Sequence, residues 1–247
     1  MVERIVFIHL PGETEAVPAG RLAMIEQGLQ VQASIFAYGR RYAARANALP
    51  LEPGRNGEER VPTAGLALFG ALRDATPDAW GRRVIENRLR APPNGLPESV
   101  YLDHAGPHRA GALDVRESPT SLPAGGALPS ILDLRHLLDA AARIEEGEPV
   151  PAHLEVFFAG GPSVGGARPK AVVSVEGGEW IAKFPASNDP FNVPLIERAT
   201  LELAREAGLV VPRTRLETLA DGRQVMLVER FDRERLPQGI GRRHMVS

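Results

Sequence analysis

Among 29 basic residues only two are lysine, Lys170 and Lys183, and both fall in one short stretch. All other cations are arginine, an imbalance that fits GC-rich coding together with the abundant Ala, Gly and Pro. A lysine kept under such a bias marks a position that needs a compact ammonium rather than a planar guanidinium. Immediately before Lys170 runs GGPSVGGARPK (160–170), with four Gly and two Pro in eleven residues. Glycines let backbone N–H groups approach phosphate oxygens closely. A lysine beside such a loop supplies the matching charge. The chemistry on offer is therefore the holding of a polyphosphate.

The surrounding elements must aim those groups. AVVSV (171–175) and EWIAKFP (179–185) read as two strands joined by a two-residue turn at Gly177-Gly178. That turn pairs Glu176 with Glu179, Ser174 with Ile181 and Val172 with Lys183. Alternation then puts Val172, Ser174, Ile181 and Lys183 on one face. A helix capped by Asn192, with Pro194 in its first turn, closes at Gly208 and Pro212. Ile196, Ala199 and Leu203 form its expected buried stripe, and Glu197 flanks that stripe near the start. RTRLETL (213–219) and RQVMLVERF (223–231) read as two further strands. Gly-rich loop, strand, strand with Lys, helix with Glu, strand, strand is the order of a protein-kinase-like small lobe. In that reading Val164, Gly165, Gly166, Ala167 and Lys170 contact nucleotide. Val172 and Ile181 cover an adenine, and Glu197 pairs with Lys183. Glu229, Arg230 and Phe231 form the hinge whose backbone meets the adenine edge. The loop is not a Walker A motif: Ala167-Arg168-Pro169 intervene before Lys170, and Ala171 stands where that motif carries Ser or Thr.

Upstream, residues 4–9, 17–25 and 33–38 have strand character, and 109–117 suits a closing strand. Thr76-Pro77 is the expected start of a helix whose stripe is Trp80, Val84, Ile85 and Leu89. Residues 118–130, SPTSLPAGGALPS, hold no charge, three Pro and two Gly, and read as a linker. Ser130 with Asp133 forms a capping-box pattern for the next helix, whose face is Ile131, Leu134, Leu138 and Ala141 and whose end is Gly147. The fold class expected is α+β. A β-rich N-terminal subdomain (1–117) is joined through the linker to a kinase-like small lobe (131–247), an antiparallel sheet plus one helix.

Composition narrows the function. The chain has no Cys, which removes thiolate ligands and a Cys nucleophile. A net charge of −2 gives no general pull toward nucleic acid or anionic membrane. The longest apolar stretch, VPTAGLALFGAL at 61–72, is far shorter than the roughly 20 residues of a membrane helix. No signal-peptide pattern opens the chain, so a cytoplasmic location is expected. His104 and His108 are separated by Gly106-Pro107, which argues against a shared helical face, and no metal site is expected.

Several segments together resemble the HipA family, the serine/threonine kinase toxins of bacterial type II toxin–antitoxin pairs. They are PSVGGARPKAVV (162–173), WIAKFP (180–185), LIERATLELAREAGLVVP (195–212) and LVERFDR (227–233), with FAYGRRYAARANALPL (36–51) and RDATPDAWGRRVIENRL (73–89) in the first half. The resemblance implies that Ser163 is the loop serine that becomes autophosphorylated, that Lys183 binds nucleotide and that Glu229 and Phe231 hold adenine. It implies ATP and Mg²⁺ as cofactors and a cellular protein as substrate. The implied partner is a HipB-like helix-turn-helix antitoxin bound by the N-terminal subdomain, with DNA reached only through it. Family members continue beyond the point where this chain stops, and their catalytic-loop Asp and Asn and metal ligands belong to that later part. The expectation is a C-terminally truncated family member, with the large lobe missing and inactive alone. The alternatives are a non-catalytic antitoxin-binding module and the small lobe of a small-molecule kinase.

Overall fold

The computed structural model of the chain describes residues 1–51, 59–62, 65–123, 125–155 and 166–243. The architecture is α+β with antiparallel sheets. The first sheet has the order β4-β3-β2-β1-β5. Its strands are β1 (Val2–His9), β2 (Ala16–Gln27), β3 (Gln30–Tyr38), β4 (Glu59–Arg60) and β5 (Leu113–Arg116). Val6, Ile8, Leu22, Met24 and Phe36 are buried in one cluster, closed by α2 (Gly70–Asp74) and α4 (Glu98–His104) through Leu72 and Leu102. The expected strands are all present, including the closing one, which pairs with β1. A single-turn helix, α1 (Arg40–Ala43), follows β3.

α3 (Ala79–Leu89) begins later than the sequence suggested. Its N-cap is Asp78, whose Oδ1 accepts from the Gly81 N–H at 2.7 Å. Thr76 instead donates its hydroxyl to the Arg73 carbonyl and closes the preceding helix. An aspartate followed by apolar helix satisfies orphan N–H groups as well as a threonine does, and Asp78 is the one in position. Trp80, Val84 and Ile85 are buried as expected, while Leu89 is partly exposed.

Beyond the 118–130 segment, Ser130 and Asp133 make the capping box. One 3₁₀ turn (Ile131–Asp133) leads into α5 (Leu134–Glu146), and Gly147 ends it in the left-handed region. The short α6 (Ala152–Glu155) comes next. The second sheet runs β6-β7-β9-β8, from β6 (Lys170–Val175), β7 (Gly178–Lys183), β8 (Thr214–Thr218) and β9 (Gln224–Glu229). One face, with Ala171, Val173, Trp180, Ala182, Val225 and Leu227, packs on α5 through Leu134, Leu137, Leu138 and Ala141. Ser130 bridges to Ser174 and thereby covers part of the β6 edge. The chain ends in a separate hairpin of β10 (Arg233–Leu236) and β11 (Gly239–Arg242).

Two features depart from the sequence pattern. Trp80 and Val84 belong to the core of the second sheet, so α3 serves both halves although it precedes the linker. In α7 (Val193–Glu206), only Pro194 is buried. The expected stripe is present but uncovered: Ile196 is 53% and Leu203 65% exposed, and Ala199 is exposed too. The helix rests against β8 and β9 on another side, and no described residue covers the apolar one. Periodicity reveals an apolar face but not what lies on it.

Trp80 is fully buried, and its indole N–H donates to the Lys170 carbonyl at 2.8 Å. Trp80→Ala is expected to cost roughly 3–5 kcal/mol, through a cavity and a stranded acceptor. Leu203→Ala should stay within about 0.5 kcal/mol of the parent. Urea unfolding midpoints of the two variants check this.

Candidate functional site

The β6–β7 hairpin turns at Glu176-Gly177, both with positive φ (51° and 72°), rather than at Gly177-Gly178. Val172 therefore faces Ile181, Ser174 faces Glu179, and Lys170 faces Lys183. The expected register was displaced by two residues. A one-residue slip would have exchanged the faces; a two-residue slip preserves them. The Arg235 guanidinium lies over Gly178, where a Cβ would come 2.7 Å from Nη2.

At the open end of this hairpin the two lysines line a cavity of about 170 Å³ together with Gly166, Ala167, Pro194 and Glu197. Lys183 Nζ donates to Glu197 Oε1 in a partly exposed ion pair. Glu197 is carried there by the first turns of α7. The start of that helix is fixed by Asn192, whose Oδ1 caps Leu195 N–H and whose amide donates to Gln224 of β9. Lys170 Nζ donates to Asp78 Oδ2 at 3.3 Å, with its side chain 6% exposed. Burial pulls the Lys170 ammonium below the ordinary lysine range, and Asp78 opposes that shift.

The arm of the loop between Gly166 and Lys170 is held by its carbonyls. Trp80 N–H donates to Gly166 O at 3.3 Å, Arg83 Nη2 to Ala167 O at 3.1 Å, and Phe184 N–H to Pro169 O at 3.0 Å. Gly166 has φ +100°, and a Cβ there would stand 3.0 Å from Lys170 Nζ. Glycine is the residue that permits this approach. Ser163, Val164 and Gly165 lie outside the described residues.

From the lysines an apolar row crosses the same face: Val172 opposite Ile181, and Ile181 opposite Val228. The hinge residues are apart from the lysine cavity. Glu229, Arg230 and Phe231 line a second cavity of about 410 Å³ by Gly178, at the turn end of β7. Six residues of strand separate the two ends, roughly 17 Å. Glu229 is engaged bidentately by Arg213, at 2.5 and 2.6 Å. Phe231 is 64% exposed. The Arg230 side chain is buried in an ion-pair cluster rather than turned toward a ligand. It donates to Asp232 at 2.7 and 2.9 Å and to the carbonyls of His108 and Arg109 at 2.6 and 3.0 Å.

Sequence reasoning gave no role to the other members of that cluster. Asp232 also accepts from Arg233 and from the Gly111 N–H, and Glu179 accepts from Arg233 and His108. His108, weighed above only as a metal ligand, is thus hydrogen-bonded to Glu179, while His104 contacts Arg88. Asp78 was missed as well. Its signal was present in the sequence, as an N-cap residue just before Ala79-Trp80. Among the described residues no group of three or more His, Asp or Glu is placed to hold a metal ion.

Residues 162–247, which include β6 to β11, match the family model of the HipA-like C-terminal domain. The match takes in about the last third of the chain. Both lysines, Glu197 and the hinge lie inside this HipA-like match; Asp78 and Trp80 lie outside it. A comparison with curated proteins finds no match.

Burial pushes the Asp232 carboxyl up, but Arg230, Arg233 and the Gly111 N–H hold it down at about 2. Glu179 is likewise held below the ordinary carboxylate range, by His108, Arg233 and Arg230 acting against burial. A carboxylate depressed by folding stabilises the fold above its unfolded pKa, about 3.9 for Asp, and loses that contribution as pH falls through the folded value. Asp232→Asn should therefore cost roughly 3 kcal/mol at pH 7. Its deficit against the parent should close as pH falls from about 4 to about 2. Unfolding free energies of both proteins across pH 2–7 test this; a constant gap would contradict it.

Proposed function

We propose that the chain forms the nucleotide-binding part of a HipA-like protein serine/threonine kinase toxin. In this reading the lysine cavity takes the phosphates of ATP. The observation that carries it is the convergence of Lys183, paired to a helix carboxylate, with Lys170 on one cavity beside Gly166. A triphosphate fits the donor set there: two ammonium groups, and a backbone approach that only glycine allows. The Val172, Ile181 and Val228 row supplies an apolar ceiling between the phosphates and the hinge at 229–231. Glu197 keeps Lys183 aimed while the phosphates bind. Among the described residues no group of three or more His, Asp or Glu stands ready to hold Mg²⁺.

Under the same proposal Ser163, three residues before Gly166, is the autophosphorylated loop serine. The acceptor in trans is a serine or threonine of a cellular protein. The first sheet with its helices offers a surface for a HipB-like helix-turn-helix antitoxin, and DNA is met through that partner. No helix among the described residues is long and apolar enough to cross a membrane.

Titration of the chain with a fluorescent ATP analogue should give saturable binding. Lys183→Ala should weaken it by roughly tenfold or more, since a charge-assisted phosphate contact is lost. Equal binding by parent and variant would remove Lys183 from the site, and no binding by the parent would remove the reading.

A further inference from the structure

The HipA-like match begins at residue 162, yet the carboxylate that holds one of its two lysines comes from outside it. Asp78 uses its two oxygens for different tasks. Oδ1 caps α3 through the Gly81 N–H at 2.7 Å, and Oδ2 accepts from Lys170 Nζ at 3.3 Å. The next residues of α3 grip the loop arm around the same lysine, through Trp80 to Gly166 and Lys170 and through Arg83 to Ala167. We propose that Asp78 is a positioning residue for the phosphate end of the cavity, keeping the Lys170 side chain a charged ammonium at the Gly166 rim so that both lysines act on one anion.

This rests on the nucleotide reading of the cavity and adds a residue to it. The charged groups around Lys170 define what Asp78 does. Lys183 stands directly opposite on β7, and Arg83 approaches from α3; both disfavour a second cation. Glu197 on α7 is engaged by Lys183, and Arg168 is paired with Asp189. Asp78 is the carboxylate bonded to Lys170, whose side chain is almost wholly buried. A buried lysine without its counter-ion sheds its proton more readily. Losing Asp78 thus leaves the cavity with one working cation at alkaline pH.

The presence of only two lysines makes a direct experiment possible. The full chain carrying ¹³Cε-lysine gives two signals, assigned with Lys183→Arg. Inorganic tripolyphosphate and then ATP are titrated into the parent and into Asp78→Asn between pH 6 and 9. Asparagine retains the helix cap and removes the charge. The parent should show both signals shifting together. In Asp78→Asn the Lys170 titration should move to lower pH than in the parent. Its tripolyphosphate affinity should match the parent at pH 6 and fall roughly tenfold behind by pH 9. Agreement at pH 6 also reports an intact fold. If the anion shifts Lys183 alone, or if Asp78→Asn binds as the parent does at every pH, the role of Asp78 is refuted and the nucleotide reading survives. If Asp78→Asn is weaker by the same factor at every pH, its effect is structural and the positioning role is refuted. If neither lysine responds to tripolyphosphate or ATP in the parent, both proposals fall.

Discussion

Lys170 and Lys183 are direct partners across the first rung of an antiparallel hairpin, an arrangement that by itself is repulsive. The fold tolerates it because each ammonium has its own carboxylate. One comes from 92 residues upstream, the N-cap of α3; the other comes from 14 residues downstream, the second turn of α7. Both helices must therefore reach the same end of the same sheet, from opposite directions along the chain. The Trp80 bonds to the loop arm, the Asn192 bond to β9 and the glycine at 166 all serve that meeting. Two ammonium groups gathered at one end of the sheet, each with its own carboxylate, are the feature on which the proposed phosphate site rests.

The same logic joins the halves of the molecule at the other end of β7. Arg230 and Asp232 flank the exposed Phe231, and their side chains are fastened to residues 108–111 before β5. Buried ion pairs of this kind add little net stability but make breaking any member costly, so they fix geometry. The first sheet is thus anchored at two places, one at the loop and one at the hinge segment. The linker at 118–130 separates the halves in sequence, while α3 and the 108–111 segment bind them in space.

Much of this was legible from residue types alone. The strands of the first sheet, the Ser130–Asp133 capping box and the Gly147 stop rest on local chemistry, and local chemistry is written locally. The face shared by Lys183, Ile181 and Val172 was also legible, since strand parity survived a two-residue error in the turn. The turn itself was not: Glu176-Gly177 and Gly177-Gly178 are both short glycine-containing pairs, and the chain uses the first. The sequence pattern puts the α3 cap at Thr76, whereas Asp78 is the residue that accepts from the Gly81 N–H and, with its other oxygen, from Lys170. The exposed side of α7 and the burial of Arg230 had no local signal at all. The first depends on what fails to cover the helix; the second depends on carbonyls contributed by the other half.

The most direct measurement of the central claim is a crystal structure of the chain grown with a non-hydrolysable ATP analogue. The account predicts phosphate oxygens within hydrogen-bond distance of both Lys170 Nζ and Lys183 Nζ, beside Gly166, with the base lying over Val172 and Ile181. An analogue bound elsewhere, or lysine side chains directed to opposite faces of the sheet, would contradict it.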